Sequence, residues 1–92
     1  MSSSAADFVR IQLVVQRLLD AEVLDAPKGE ALMAEAEAGR LFRECGDADS
    51  ARRQAERLAS MTVTLVGSGA LDLLDGRAVI ETVGALLAQE GS

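Results

Sequence analysis

Residues 24–32 read LDAPKGEAL and residues 71–79 read LDLLDGRAV, and these two stretches, 47 positions apart, decide the fold. Leu24 matches Leu71, Asp25 matches Asp72, Gly29 matches Gly76 and Ala31 matches Ala78. Each copy opens a helix. The Asp is a candidate N-cap, because its carboxylate accepts from free N–H groups of the first turn and offsets the positive helix end. The Gly falls about one turn in, on the face that continues as Leu32/Met33 in one copy and Val79/Ile80 in the other. A helical Gly costs ~1 kcal/mol against Ala, which close approach of a neighbouring helix offsets.

The echo runs both ways from these stretches. Ile11, Val14, Val15, Leu18 and Leu19 stand 47 positions before Leu58, Met61, Thr62, Leu65 and Val66. Met33, Ala36 and Ala38 stand 47 before Ile80, Val83 and Ala85. The pattern implies an all-α four-helix bundle built from two repeated helix-turn-helix hairpins, each burying the other's apolar face.

Helix 1 is predicted over 5–22, with Ser4 and Asp7 as a capping-box variant. Its stripe is Phe8, Ile11, Val14, Val15, Leu18, Leu19 and Ala21. Val9 and Leu13 lie opposite, among Gln12, Gln16 and Asp20. Helix 2 is predicted over 27–45, since Pro27 suits a first turn. It carries a second apolar face, Ala31, Ala34, Ala38, Leu41, Phe42 and Cys45, which implies burial on two sides. Gly46 suits a left-handed stop and Asp47 the next N-cap. Helix 3 is predicted over 48–66 with the stripe Ala51, Ala55, Leu58, Thr62 and Leu65. Arg52, Arg53, Glu56 and Arg57 face water. Helix 4 is predicted over 73–89, with Leu73, Gly76, Val79, Ile80, Val83, Leu86 and Leu87 inward. The Met61–Val66 run, MTVTLV, is apolar on most sides. Together with the second face of helix 2 it exceeds what one small bundle needs, so a homodimer is expected.

Ninety-two residues form one domain with a modest core. Apolar residues make up 49%, only two of them aromatic, so the core is aliphatic. A net charge of −6 argues against nucleic-acid partners or an anionic membrane surface. No run approaches membrane-spanning length, and MSSSAAD lacks the features of a secretory signal, so a cytoplasmic location is expected.

The single cysteine excludes an internal disulfide. Histidine is absent, which removes the commonest general base and the commonest metal ligand. No metal centre or cofactor motif is present. The Gly67-Ser68-Gly69 turn lacks the Lys and preceding strand of a phosphate-binding loop. Cys45, on an apolar face near a helix C-terminus, reads as structural. Any chemistry falls to carboxylates, Arg, Gln and Thr, acting mostly by positioning.

Two resemblances follow. The repeated unit, clearest in LVGSGALDLLDGRAVI at 65–80, looks like the helical FIMAH domains attached to secreted bacterial proteins, over residues 14–88. That likeness implies four helices and no defined activity, and it makes a non-catalytic protein-protein interaction module the alternative reading. FVRIQLVVQRLLDAEVLDAPKGEALM at 8–33 is similar to the small helical proteins of cinnamycin- and duramycin-type lantibiotic clusters. This second likeness implies a modified peptide as substrate and formation of a lysinoalanine crosslink, in which a Lys amine adds to dehydroalanine with a hydroxylated Asp of the peptide as base. It transfers no catalytic residue. A peptide site is expected where uncovered aliphatics meet polar groups on helix 1: Asp7, Phe8, Arg10, Gln12, Leu13 and Gln16, with Asp7 a candidate proton acceptor.

Overall fold

The computed structural model describes residues 4–90, with side-chain environments from 7 to 88. Four helices follow one another: α1 (Ser4–Asp20), α2 (Ala26–Glu44), α3 (Ala48–Gly67) and α4 (Leu73–Glu90). Each packs on its sequence neighbours, and α1 closes the ring against α4. Among the described residues the backbones of neither diagonal pair come within 8 Å, Cα to Cα, so the architecture is a bundle joined by short turns. Because α2 packs extensively on α3 as well as on α1, the packing does not divide into two separate hairpins.

All three connections are Schellman turns, in which the N–H two residues past the helix reaches back across the last turn. Val23 donates to the Leu18 carbonyl at 3.1 Å, Asp47 to Phe42 at 2.9 Å and Ala70 to Leu65 at 2.9 Å. The inner bonds are Glu22 to Leu19, Gly46 to Arg43 and Gly69 to Val66. The turn requires a left-handed residue, and φ is +83° at Gly46 and +80° at Gly69. In the first turn that residue is Glu22, at φ +61°. Helix α1 therefore stops at Asp20, short of the expected Glu22, because the chain has already entered the left-handed turn.

The Asp25 cap does not form. Asp72 accepts from the Leu74 N–H at 3.2 Å, whereas the Asp25 carboxylate pairs with Lys28 at 3.0 Å. The residue equivalent to Leu74 in the first copy is Pro27, which has no N–H to give. Asp47 does cap α3, accepting from Ser50 N–H at 3.1 Å, and hydrogen bonding from the Ser50 side chain, then from its backbone N–H, holds the Asp47 carboxyl below the usual range.

The core is aliphatic and threaded by one ring. Phe8, Ile11, Val15, Leu32, Leu58, Val79, Val83 and Leu86 are the largest enclosed apolar side chains, with Leu24 and Leu71 sealing the first and third turns. Thr62 is wholly buried, and its hydroxyl donates to the Leu58 carbonyl at 2.8 Å. Close approach is real at Gly76, where an added Cβ would stand 2.3 Å from Val66 Cγ2. It is equally real at Gly39, where that Cβ would fall 2.2 Å from Phe8 Cε1.

One apolar face stays uncovered within the chain, and one expectation about burial is corrected. The second face of α2 is not covered by the rest of the chain: Ala31, Ala34, Leu41, Phe42 and Cys45 are exposed and Ala38 is half-buried. Leu73 does not point inward; it is 68% exposed, because α4 turns its Gly76–Val79–Val83–Leu86 face to the core.

Candidate functional site

The six helix 1 residues fall into three environments. Phe8 is fully enclosed, its ring over Gly39, and faces no solvent. Asp7 is 7% exposed, and its Oδ2 has no hydrogen-bond partner among the described residues. Gln12 is half-buried and donates from Nε2 to Glu37 Oε1 at 3.1 Å. Arg10, Leu13 and Gln16 are exposed, with Gln16 donating to Asp20 Oδ1 at 2.9 Å. The surface these residues share therefore contains Arg10, Leu13 and Gln16, with Val9 beside them, while Phe8 and Asp7 belong to the interior.

Gln12 belongs to a polar clasp between α1 and α2. Glu37 accepts from both Gln12 and Arg40, and Arg40 also reaches Glu44. Hydrogen bonding from Arg40, then from Gln12, holds the Glu37 carboxyl below its ordinary value. Hydrogen bonding to Glu37 first, with the charges of Glu37 and Glu44, raises Arg40 above the usual guanidinium range. A second clasp joins α2 to α3. Glu35 accepts from Gln54 Nε2 at 2.6 Å, and Arg57 Nε lies 3.2 Å from its other oxygen.

Among the described residues the two most exposed large apolar side chains, Leu73 and Leu74, lie elsewhere, with Val63 beside them. Val63, Leu73 and Leu74 are 62%, 68% and 73% exposed. With Val66, Ile80 and the Gly67 and Gly76 backbone they line an open groove of about 520 Å³ between the end of α3 and the start of α4, with Arg77 at its edge. Arg77 pairs with Glu81 at 2.8 Å, so the groove presents apolar surface without an uncompensated charge. Gly76 lets α4 approach Val66, and the Schellman turn at Gly69 aims Leu73 and Leu74 outward over the seam. The MTVTLV run pointed to half of this groove; the other half was hidden because Leu73 shared the phase of the α4 core stripe.

The chemistry available is limited. No group of three or more His, Cys, Asp or Glu suited to a metal occurs among the described residues. Cys45 is exposed at the end of α2 and packs against no core, which corrects its reading as a structural thiol. Arg52 pairs with Glu56 at 3.4 Å and Arg57 with Glu35, so two members of the arginine cluster are engaged in ion pairs. No described helix is long and apolar enough to cross a membrane.

No protein-family model matches the chain, no curated protein aligns with it significantly, and no solved structure matches it.

Proposed function

We propose that this protein is a docking module that binds an apolar peptide segment in the α3/α4 groove and works by holding that segment, without acid–base chemistry of its own. The observation that carries the reading is the convergence of Val63, Leu73 and Leu74, each more than 60% exposed, on one groove. Large aliphatics scattered over a surface need no explanation, but three lining one concavity do. The occupant that fits is an uncharged segment presenting two or three aliphatic side chains. Its test is chemical-shift mapping with a neutral Leu/Gln peptide. Shifts should centre on Val63, Leu73 and Leu74 and vanish in Leu74→Ser. Shifts confined to other surfaces, or none at millimolar peptide, would remove the reading. Sedimentation distinguishes the homodimer: a second copy is the occupant if the parent is a dimer and Leu74→Ser a monomer.

A second reading makes the segment a lanthipeptide and the outcome a lysinoalanine crosslink. It rests on the resemblance of residues 8–33 and on the exposed α1 surface, where Leu13 is 62% and Val9 40% exposed beside Arg10 and Gln16. Apolar contacts there would seat the peptide, and Arg10 would orient a carboxylate. With Asp7 enclosed, the amine proton passes to the peptide's own base, and the protein contributes positioning. Incubation with a Lys-ended, dehydroalanine-containing lanthipeptide should abolish thiol addition to that peptide. Persistent thiol addition, or crosslinking unaffected by Arg10→Ala and Leu13→Ser together, would sink the α1 site.

A further inference from the structure

The two copies of the repeat close their outer seams differently. The α1/α2 and α3/α4 seams correspond at the offset of 47. A Cβ added at Gly29 would meet Leu19, as one at Gly76 would meet Val66. The turn bond from Val23 to Leu18 likewise matches that from Ala70 to Leu65. Between α1 and α2 the middle of the seam is bridged by the clasp in which Glu37 accepts from Gln12 and Arg40. The residues 47 positions on from Gln12, Glu37 and Arg40 are Ala59, Gly84 and Leu87. Gln16 likewise gives way to Val63. The second copy therefore keeps the packing and has no side chains to build the bridge.

Without that clasp, the groove lined by Val63, Leu73 and Leu74 runs on along the seam. Leu73, Arg77, Ile80 and Gly84 share one face of α4, and Ala59 lies one turn from Val63 on α3. The two helices are joined by a short turn and run antiparallel, so Ala59 and Gly84 prolong the same end of the groove. Leu73 and Gly84 are eleven residues apart, ~16 Å at ~1.5 Å per residue. Gly84 is exposed, and a Cβ added there meets nothing within 4 Å, so no described neighbour calls for a glycine. A glycine inside a helix costs stability against alanine. Here it leaves the α4 backbone bare along the trough. The rim charges are balanced, Arg77 by Glu81 at 2.8 Å and Arg52 by Glu56 at 3.4 Å.

We infer that the trough takes an α-helix of another protein, about three turns long and neutral along its contact face, and that Ala59 and Gly84 let it lie close. The inference rests on the reading of the α3/α4 groove as a peptide site and adds the form of the occupant. The walls decide that form. Val63, Leu73, Leu74 and Ile80 offer no donor or acceptor, and along the helices the backbone groups are bonded within α3 and α4. An extended segment laid there would leave its N–H and C=O groups against hydrocarbon, and the described residues include no strand edge to pair with it. A polyproline segment needs aromatic walls, and Phe8 and Phe42, the chain's two aromatics, lie outside the groove. A helix satisfies its own backbone and presents only side chains. With both rim cations paired, a charged contact face of either sign finds no free partner. A second copy is the poorer occupant, since two chains of charge −6 repel one another.

The test is fluorescence anisotropy with two labelled Leu/Gln peptides of about twelve residues, one free to form a helix and the other carrying a central Pro. The helical peptide should bind at least about tenfold more tightly than the Pro peptide, and difference circular dichroism should show it gaining helix on binding. Gly84→Gln fills the trough while improving helix propensity. It should weaken the helical peptide about tenfold or more, in a protein that melts no lower than the parent. Ala59→Gln should act in the same direction. Leu74→Ser should abolish binding of both peptides, because it removes the groove itself. Equal binding of the two peptides, or undiminished binding to Gly84→Gln and Ala59→Gln, would overturn the inference. The groove reading would survive that result as long as Leu74→Ser still abolished binding. Binding of neither peptide at millimolar concentration would remove both. A parent that sediments as a dimer and becomes monomeric on Gly84→Gln would also overturn the inference, since the trough would then be a self-interface.

Discussion

Glu22 is the residue where this chain accepts local strain. A left-handed conformation at a residue with a Cβ costs ~1 kcal/mol or more, and the two other Schellman turns avoid it with glycine. Glu22→Gly should therefore stabilise the protein by about 1 kcal/mol, after subtracting glycine's greater unfolded-state entropy, read as a raised urea midpoint at constant slope. The reverse change, Gly69→Ala, should destabilise, although an added Cβ meets nothing within 4 Å, so the loss would be conformational. Unchanged midpoints in both would show that backbone handedness is not what limits these turns. Asp7 is a different kind of residue problem. It lies four before Ile11 and seven before Val14, so helical phase alone places it on the inward stripe. Its chemistry as a carboxylate suggested a solvent-facing acceptor; its position in the helix was the better guide.

At the scale of the helix, the glycines decide which faces meet. Gly39 stands against the Phe8 ring, and that ring is wholly enclosed. Gly84 stands against nothing. Both are helix-interior positions where Ala has the better propensity. Gly84→Ala should stabilise by about 0.5–1 kcal/mol. Gly39→Ala should destabilise by about 1–3 kcal/mol, because an enclosed ring cannot retreat from the new methyl. Thermal melts of the two variants should move in opposite directions; a stabilised Gly39→Ala protein would show that Phe8 has room to shift. Helix number, order and approximate ends were legible because caps, the Pro27 first turn and the stop glycines act locally. The fate of the second α2 face was not. Apolar spacing reports that a surface avoids water, but not which element covers it, and here no element of the chain covers Leu41 and Phe42. Leu73 misled for the same reason: it has the phase of the inward stripe, but it precedes the point where α4 packs against α3. The helix 1 site was legible as an exposed Leu13 beside polar groups. The groove between helices was not, because it is made by residues far apart in sequence.

For the molecule as a whole, the absence of histidine fixes how stability responds to acid. Side chains with ordinary values near 4 carry most of the titration below neutrality, and no imidazole titrates between about pH 5 and 8. Unfolding free energy should therefore be nearly flat from about pH 5.5 to 7.5. Below that range two carboxyls matter, Glu37 in the α1–α2 clasp and Asp47 at the cap of α3, both held low in the folded protein. A carboxyl whose folded value lies below its unfolded value favours the folded state above the unfolded value. That contribution fades as pH falls through the unfolded value towards the folded one, because the unfolded chain takes up the proton first. Stability should accordingly drop below about pH 4.3, where an unfolded Glu begins to protonate. Glu37→Gln should lower the plateau and shallow the drop, since the variant has nothing to protonate there, and Gln12→Ala should produce a smaller change of the same sign. Against this runs the relief of repulsion as a chain of charge −6 is neutralised, which works in the opposite direction. Added salt separates the two. It screens the overall repulsion and so raises the plateau near pH 7, while the close Glu37–Arg40 contact, shared with Gln12, is screened less. Urea unfolding across pH 2.5–8 at low and high salt, for the parent and Glu37→Gln, decides the matter. If the two proteins lose stability in parallel below pH 4.3, the α1–α2 clasp is not what acid breaks.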